Sequence, residues 1–179
     1  MKIKVFISLL ILSNTVFAQD KLITKNGTIS FEASVPSFEE IKAKNTTSSC
    51  ILNTKTGEIA ALALMKGFDF KIALMEEHFN ENYVESDKFP KATFKGKIEN
   101  FDYLKITPTY QNLNLIGKLE LHGRAKDIAV IAKIRKTSAG LEIISNSPIN
   151  TEEFAIEIPN IVSKKVSKKV NITLDFILK

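Results

Sequence analysis

Between residues 28 and 33 polar and apolar side chains alternate, so that Ile29, Phe31 and Ala33 share one face, the period of a half-buried strand. Pro36 ends the alternation. Residues 37–44 predict one or two helical turns, with Ser37 at the cap position and Glu40 three residues on. Residues 46–53, rich in Thr and Ser, read as a second strand, and Lys55-Thr56-Gly57 as a turn. Residues 58–65 are apolar at nearly every position, as in a strand covered on both faces. Phe68 and Phe70 continue that face beyond Gly67.

The period then changes. Ile72, Met75 and Phe79 fall at i, i+3 and i+7, Tyr83 extends the stripe, and Glu76, Glu77, Asn80 and Glu81 lie outside it, which predicts an amphipathic helix of about three turns over 72–82. Pro90 stops any continuation and pushes Phe89 towards extended backbone. Ala92, Phe94, Gly96 and Ile98 alternate with Thr93, Lys95, Lys97 and Glu99 in a half-exposed strand. Further strands are expected over 113–121, 128–135, 141–146 and 170–178, with turns near Gly123 and Gly140. The expected class is therefore all-β with one main short helix, roughly eight antiparallel strands in a lipocalin-like barrel that either fills itself or holds one small ligand. The absence of tryptophan disfavours a lipocalin proper.

The N-terminus changes the picture of where such a barrel works. Lys2 and Lys4, the apolar run 5–12, and small residues at Val16 and Ala18 have the layout of a secretory signal over 1–18, cleaved after Ala18. One domain over 19–179 is expected, periplasmic or secreted, with no spanning helix in the sequence that follows. Removing Lys2 and Lys4 lowers the net charge from +5 to +3, and no basic block alternates with aromatics, so no nucleic-acid partner is expected. Cys50 is the single cysteine and reads as a small buried side chain.

Catalytic chemistry finds little support. His78 and His122 are the only histidines, so three histidines cannot gather on a metal, and Glu77, His78 and Glu81 fit a solvated helix face better than a site. Ser86-Asp87 lies before a proline turn, with no nucleophile elbow. No phosphate-cradling glycine loop follows a strand. No catalytic residue, metal or cofactor is assigned. Lys164, Lys165, Lys168 and Lys169, around Val166 and Ser167, suit the outer face of a hairpin, where they would blunt edge pairing. Peripheral contact with an anionic membrane is the alternative, since each lysine near such a surface contributes about 1 kcal/mol.

Two blocks carry a resemblance to a known family. His78, Phe79, Tyr83, Ser86, Phe89, Pro90, Ala92, Thr93 and Phe94 form the first; Gly117, Leu119, Leu121, His122 and Gly123 form the second. Together with the closing stretch from Phe154, they resemble YceI-like proteins over roughly 28–178. The chain departs from many members at Arg124-Ala125 and at Glu76-Glu77. The resemblance implies an exported, non-enzymatic barrel that sequesters a long isoprenoid, quinone or related lipid. The expected lining is Phe68, Phe70, Leu74, Met75, Phe79 and Phe94, with Ile98, Leu119, Leu121, Val130, Leu174 and Phe176 from the later strands. An exported scaffold filled by its own side chains is the competing reading. Whether the barrel acts alone or as a homodimer is open at this stage.

Overall fold

The computed structural model describes residues 20–179. The expected signal over 1–18 lies outside the described residues. The strands are β1 (Lys21–Ser34), β2 (Lys42–Asn53), β3 (Glu58–Leu64), β4 (Asp69–Phe70), β5 (Lys91–Ile98), β6 (Gln111–Leu121), β7 (Arg124–Thr137), β8 (Gly140–Asn150) and β9 (Val166–Leu178), with helix α1 (Ala73–His78) between β4 and β5. Eight strands meander antiparallel in the order β1-β2-β3-β5-β6-β7-β8-β9, and β9 pairs back onto β1 to close the barrel. The two-residue β4 is an accessory that pairs with β2 at Ala43 and Lys44.

Because each strand pairs with the next long one, the connections alternate between the two ends of the barrel. One end carries residues 54–57, 99–110 and 138–139. The other carries residues 35–41, the helical segment 65–90, the turn 122–123 and residues 151–165. The first end is closed by Leu52, Ile98, Ile134 and Leu178, none with exposed surface, together with Ile106 from the 99–110 loop. Each such side chain contributes about 1.5–3 kcal/mol of transfer free energy. A second apolar cluster, Met65, Phe68, Val84, Leu121, Phe154 and Ile156, roofs part of the opposite end.

Local chemistry explains where the sequence-based expectations shift. The β1 alternation is broken by register shifts on both sides of Gly27, so the strand begins at Lys21, seven residues before the regular pattern. A Cβ at Gly27 would come within 2.6 Å of Phe176 Cε1; the glycine lets that ring lie against the wall. The helix expected over 37–44 does not form. Ser37 has φ 73°, in a turn, and the β1–β2 ladder resumes with Glu32 opposite Lys42, so the chain gains ladder hydrogen bonds that a one-turn helix could not match. β7 begins at Arg124 because His122 (φ 49°) and Gly123 (φ 69°) make a tight two-residue hairpin turn. β8 runs on to Asn150 through Pro148. Its ladder to β7 ends at the Ala132–Ser145 pair, so the proline sits where that flank needs no donor.

The lysine pairs are also placed differently. β9, which contains Lys168 and Lys169, is paired on both sides and has no free edge to protect, while Lys164 and Lys165 lie in the turns before it.

Candidate functional site: an apolar cavity with its mouth at one end

Between the two clusters the barrel is hollow. The cavity measures about 590 Å³ and runs from Ile59, Leu115, Ile143 and Phe176, near the closed end, to the loops of the other. A barrel filled by its own side chains is therefore not what forms. Glycines account for part of this. Gly96 on β5 and Gly117 on β6 face each other in register, and a Cβ on either would stand 2.6 Å from Phe94 Cζ. With no side chain there, the Phe94 ring folds flat over the backbone of its own wall and leaves the axis free.

The mouth is lined with aromatics. Phe31 of β1, Phe68, Phe70 of β4 and Phe79 form one cluster with ring centroids 5.1 to 5.9 Å apart, in tilted, edge-on and stacked pairs of the kind aromatic rings favour. Phe79 is delivered by α1, which continues from His78 into a π-helical turn, Phe79–Tyr83. The Asn80 side chain donates to the Glu76 carbonyl (2.9 Å) and the Glu76 carboxylate accepts from the Phe70 amide (3.2 Å), tying helix to β4. Asn45, wholly buried on β2, donates to the Leu64 carbonyl (3.0 Å) and accepts from the Thr47 amide (2.8 Å). It spans the point where the β2–β3 ladder stops, at Ser49 opposite Leu62, and so fixes the chain entering the helical segment.

Ten of the twelve residues expected to line the cavity do so: Phe68, Phe70, Met75, Phe79 and Phe94, and from the later strands Leu119, Leu121, Val130, Leu174 and Phe176. Two do not. Leu74 is one residue off the Ile72–Met75–Phe79 stripe and points outward, 57 % exposed. Ile98 alternates correctly but lies two residues past Gly96, inside the packed closed end. Lining residues that the sequence did not single out include Ile59, Ala61, Leu115 and Ile143, deeper in the tube, and Ile158, Val162, Lys165 and Val166 at the mouth. The former group stands on strands whose apolar faces were legible. The latter stretch has no period to read.

Polar groups in the lining are few and gather towards the mouth. Ser145 is the deep one, and its hydroxyl donates to the Ile131 carbonyl at 2.9 Å, which leaves the tube apolar. Glu39, His78 and Lys165 stand at the opening. His122 serves structure instead: its Nδ1 lies 3.1 Å from the Phe154 carbonyl and its Nε2 3.0 Å from the Glu85 carboxylate, with Phe89 edge-on at 4.5 Å between centroids. Both partners are acceptors, so both contacts are hydrogen bonds when both ring nitrogens carry protons. The hydrogen bond from His122 is also the main reason the Glu85 carboxyl is held below its usual value. Glu85 (φ 44°), His122 and Ala155 (φ 54°) all have left-handed backbones, so this one ring ties three tight corners of the roof together. Burial pushes the Cys50 thiol up to about 12. Among the described residues no three His, Cys, Asp or Glu side chains gather in a metal-binding group.

A family model, the YceI-like domain, matches residues 19–178. The chain belongs to the YceI-like family. No curated protein matches it in sequence. Among solved structures it is similar to a polyisoprenoid binding domain from Saccharophagus degradans implicated in plant cell wall breakdown, with a TM-score of 0.73 and 15 % identity over 89 % of this chain and 98 % of that one. BcnA from Burkholderia cenocepacia gives 0.69 and 15 % identity, over 85 % and 96 % of the two chains. The YceI protein of Campylobacter jejuni gives 0.60 and 17 %, over 81 % and 89 %. At these identities the likeness is one of fold, and this YceI-like chain shares it over nearly its full described length.

Proposed function

We propose that this YceI-like protein is an exported carrier that holds one long apolar chain, an isoprenoid or related lipid, with its tail towards the closed end and its polar head at the mouth. The observation that carries this reading is the apolar cavity of about 590 Å³, closed by packed Ile98, Ile106, Ile134 and Leu178, whose polar groups gather at its opening apart from Ser145, hydrogen-bonded to its own wall. Its size falls within the ~300–1,000 Å³ of small-molecule sites. The Saccharophagus domain, of the same fold, is a polyisoprenoid binder, which supports the same ligand class here.

Burial alone is sufficient for useful affinity. Each methylene taken from water contributes about 0.8 kcal/mol, so ten buried carbons contribute about 8 kcal/mol, the scale of micromolar binding before immobilisation of the chain is subtracted. A tube with no polar partner at depth selects by length and shape. Binding rather than turnover fits the disposition of the histidines, since His122 is engaged by Glu85 and Phe154, and His78 sits on an exposed helix turn. Export is supported by the charged, apolar and small-residue order of residues 1–18.

Titration with polyprenols of increasing length tests this reading. Affinity should rise by up to about 4 kcal/mol per five-carbon unit and then level off when the tube is full. Absence of binding at every length would overturn it.

A further inference from the structure

Three glycines stand in strand interiors rather than in turns, Gly27 on β1, Gly96 on β5 and Gly117 on β6, and each lies against a phenylalanine ring that lines the cavity. Glycine weakens a strand, and in such a position it marks a bulge or a close approach. Phe94, over Gly96 and Gly117, belongs to the side wall. Phe176, over Gly27, has a different place. It is buried in the packed cluster of the closed end and also lines the cavity, as do Ile59, Leu115 and Ile143 of the same cluster. These four form the floor on which the end of a bound chain rests, and Phe176, paired in register with Ile143, is the largest of them.

The height of that floor depends on Gly27. Its backbone is not left-handed, so no positive φ demands glycine there. A Cβ at this position would overlap Phe176 Cδ1 and stand 2.6 Å from Cε1, while the next atom, the Ser48 carbonyl oxygen, would be 3.2 Å away. The ring is the main obstacle. Wall lies on one side of it and empty tube on the other, so a methyl group at position 27 drives it inward.

We propose that Phe176, seated on Gly27, sets the length of apolar chain that the barrel accepts, with a limit near four isoprene units. This rests on the carrier reading given above and names the size class of its ligand. A methylene fills about 30 Å³, as a water molecule does in the liquid, so the cavity of about 590 Å³ holds about 20 carbons, or about four isoprene units. A chain of that size is sheathed from floor to mouth, and each further unit stays in water and adds no affinity. Gly27→Ala lifts the floor. Phe176→Ala removes a ring from it and makes room for about one more unit, since the walls of a truncated core position close in only partly.

The test is displacement of a fluorescent lipid by isoprenoid alcohols lengthened one unit at a time from geraniol. In wild type, affinity should rise to the four-unit alcohol and stay level beyond it. Gly27→Ala should bind the three-unit alcohol as wild type does and the four-unit alcohol about tenfold more weakly, the loss of about two buried carbons. Phe176→Ala should bind the five-unit alcohol about tenfold more tightly than the four-unit one, a step that wild type lacks. In the Phe176→Ala background Gly27→Ala should no longer move the limit, because there is no ring to lift. Phe176→Leu gives a smaller step in the same direction should the alanine variant fail to fold. Met75→Ala, on α1 at the open end, should leave the limit where it is. A wild-type limit at six units or more, a limit unmoved by Gly27→Ala and by either change at Phe176, or one moved equally by Met75→Ala overturns the proposal and leaves the carrier reading standing. No binding at any length overturns both.

Discussion

Replacing Ala92 by leucine separates a ligand cavity from ordinary core. Ala92 stands on β5 opposite Ala63 and lines the tube beside Phe94. Leucine adds three carbons to a wall that faces empty apolar space. If the space is hollow, those carbons are buried without displacing protein, and stability of the empty barrel stays level or rises by as much as about 2.4 kcal/mol, at about 0.8 kcal/mol per carbon. The ligand loses room for about the same three carbons, so its affinity falls by about 2.4 kcal/mol, or about 50-fold. Urea unfolding of the ligand-free protein reads the first quantity, and displacement of a fluorescent fatty acid or polyprenol reads the second. A stability loss of about 1–3 kcal/mol with unchanged affinity is the signature of overpacking in a filled core, and would refute the reasoning.

Gly96→Ala, four residues further along the same strand, should behave in the opposite way, because its Cβ would press on the Ile116 carbonyl and stand 2.6 Å from Phe94 Cζ; a loss of about 1–3 kcal/mol in urea unfolding is expected. Asn45→Ala leaves the Leu64 carbonyl and the Thr47 amide without their buried partner and should lower stability by about 1–3 kcal/mol by the same measurement. Glu85→Gln should lower the melting temperature at neutral pH. Because the folded Glu85 carboxyl titrates below its ordinary value of 4.5, its stabilisation is present above that pH and is lost as pH falls through the lower folded value, so the gap between variant and wild type should close on acidification. Cys50, 2 % exposed and with its thiol pushed up to about 12, should stay unreactive to a disulfide reagent at pH 8 until denaturant is added.

Much of the barrel was legible because a strand with one wet face writes a period of two into the chain. β5 and β6 were read nearly to the residue, and the inward positions Phe94, Leu119, Leu121, Val130 and Leu174 followed from that period. What escaped was where the period is interrupted or absent. Gly27 hides the first seven residues of β1 behind a bulge. Ser37 and Glu40 have the spacing of a capping box, yet the strand ladder on either side prevails over a helix too short to nucleate. The stripe Ile72, Met75, Phe79, Tyr83 located the helical segment and already left Leu74 off its inward face, but could not reveal the π-helical second half. Depth along the tube is likewise silent in a strand pattern: Ile98 and Phe94 alternate identically, and only the packing of Ile106 and Leu178 places one in the plug and the other in the wall. Buried Asn45, which holds the helical segment in place, looks in sequence like any polar residue of a Thr- and Ser-rich strand.

The central claim is that the long hollow of this barrel holds a lipid. Native mass spectrometry of the mature protein purified from its own host, without detergent or solvent exchange, tests it most directly. The account predicts a complex of one protein with one long-chain apolar molecule, released as an intact lipid on activation and much reduced in Ala92→Leu. Protein that flies at its bare polypeptide mass, and stays bare when offered polyprenols, would contradict it.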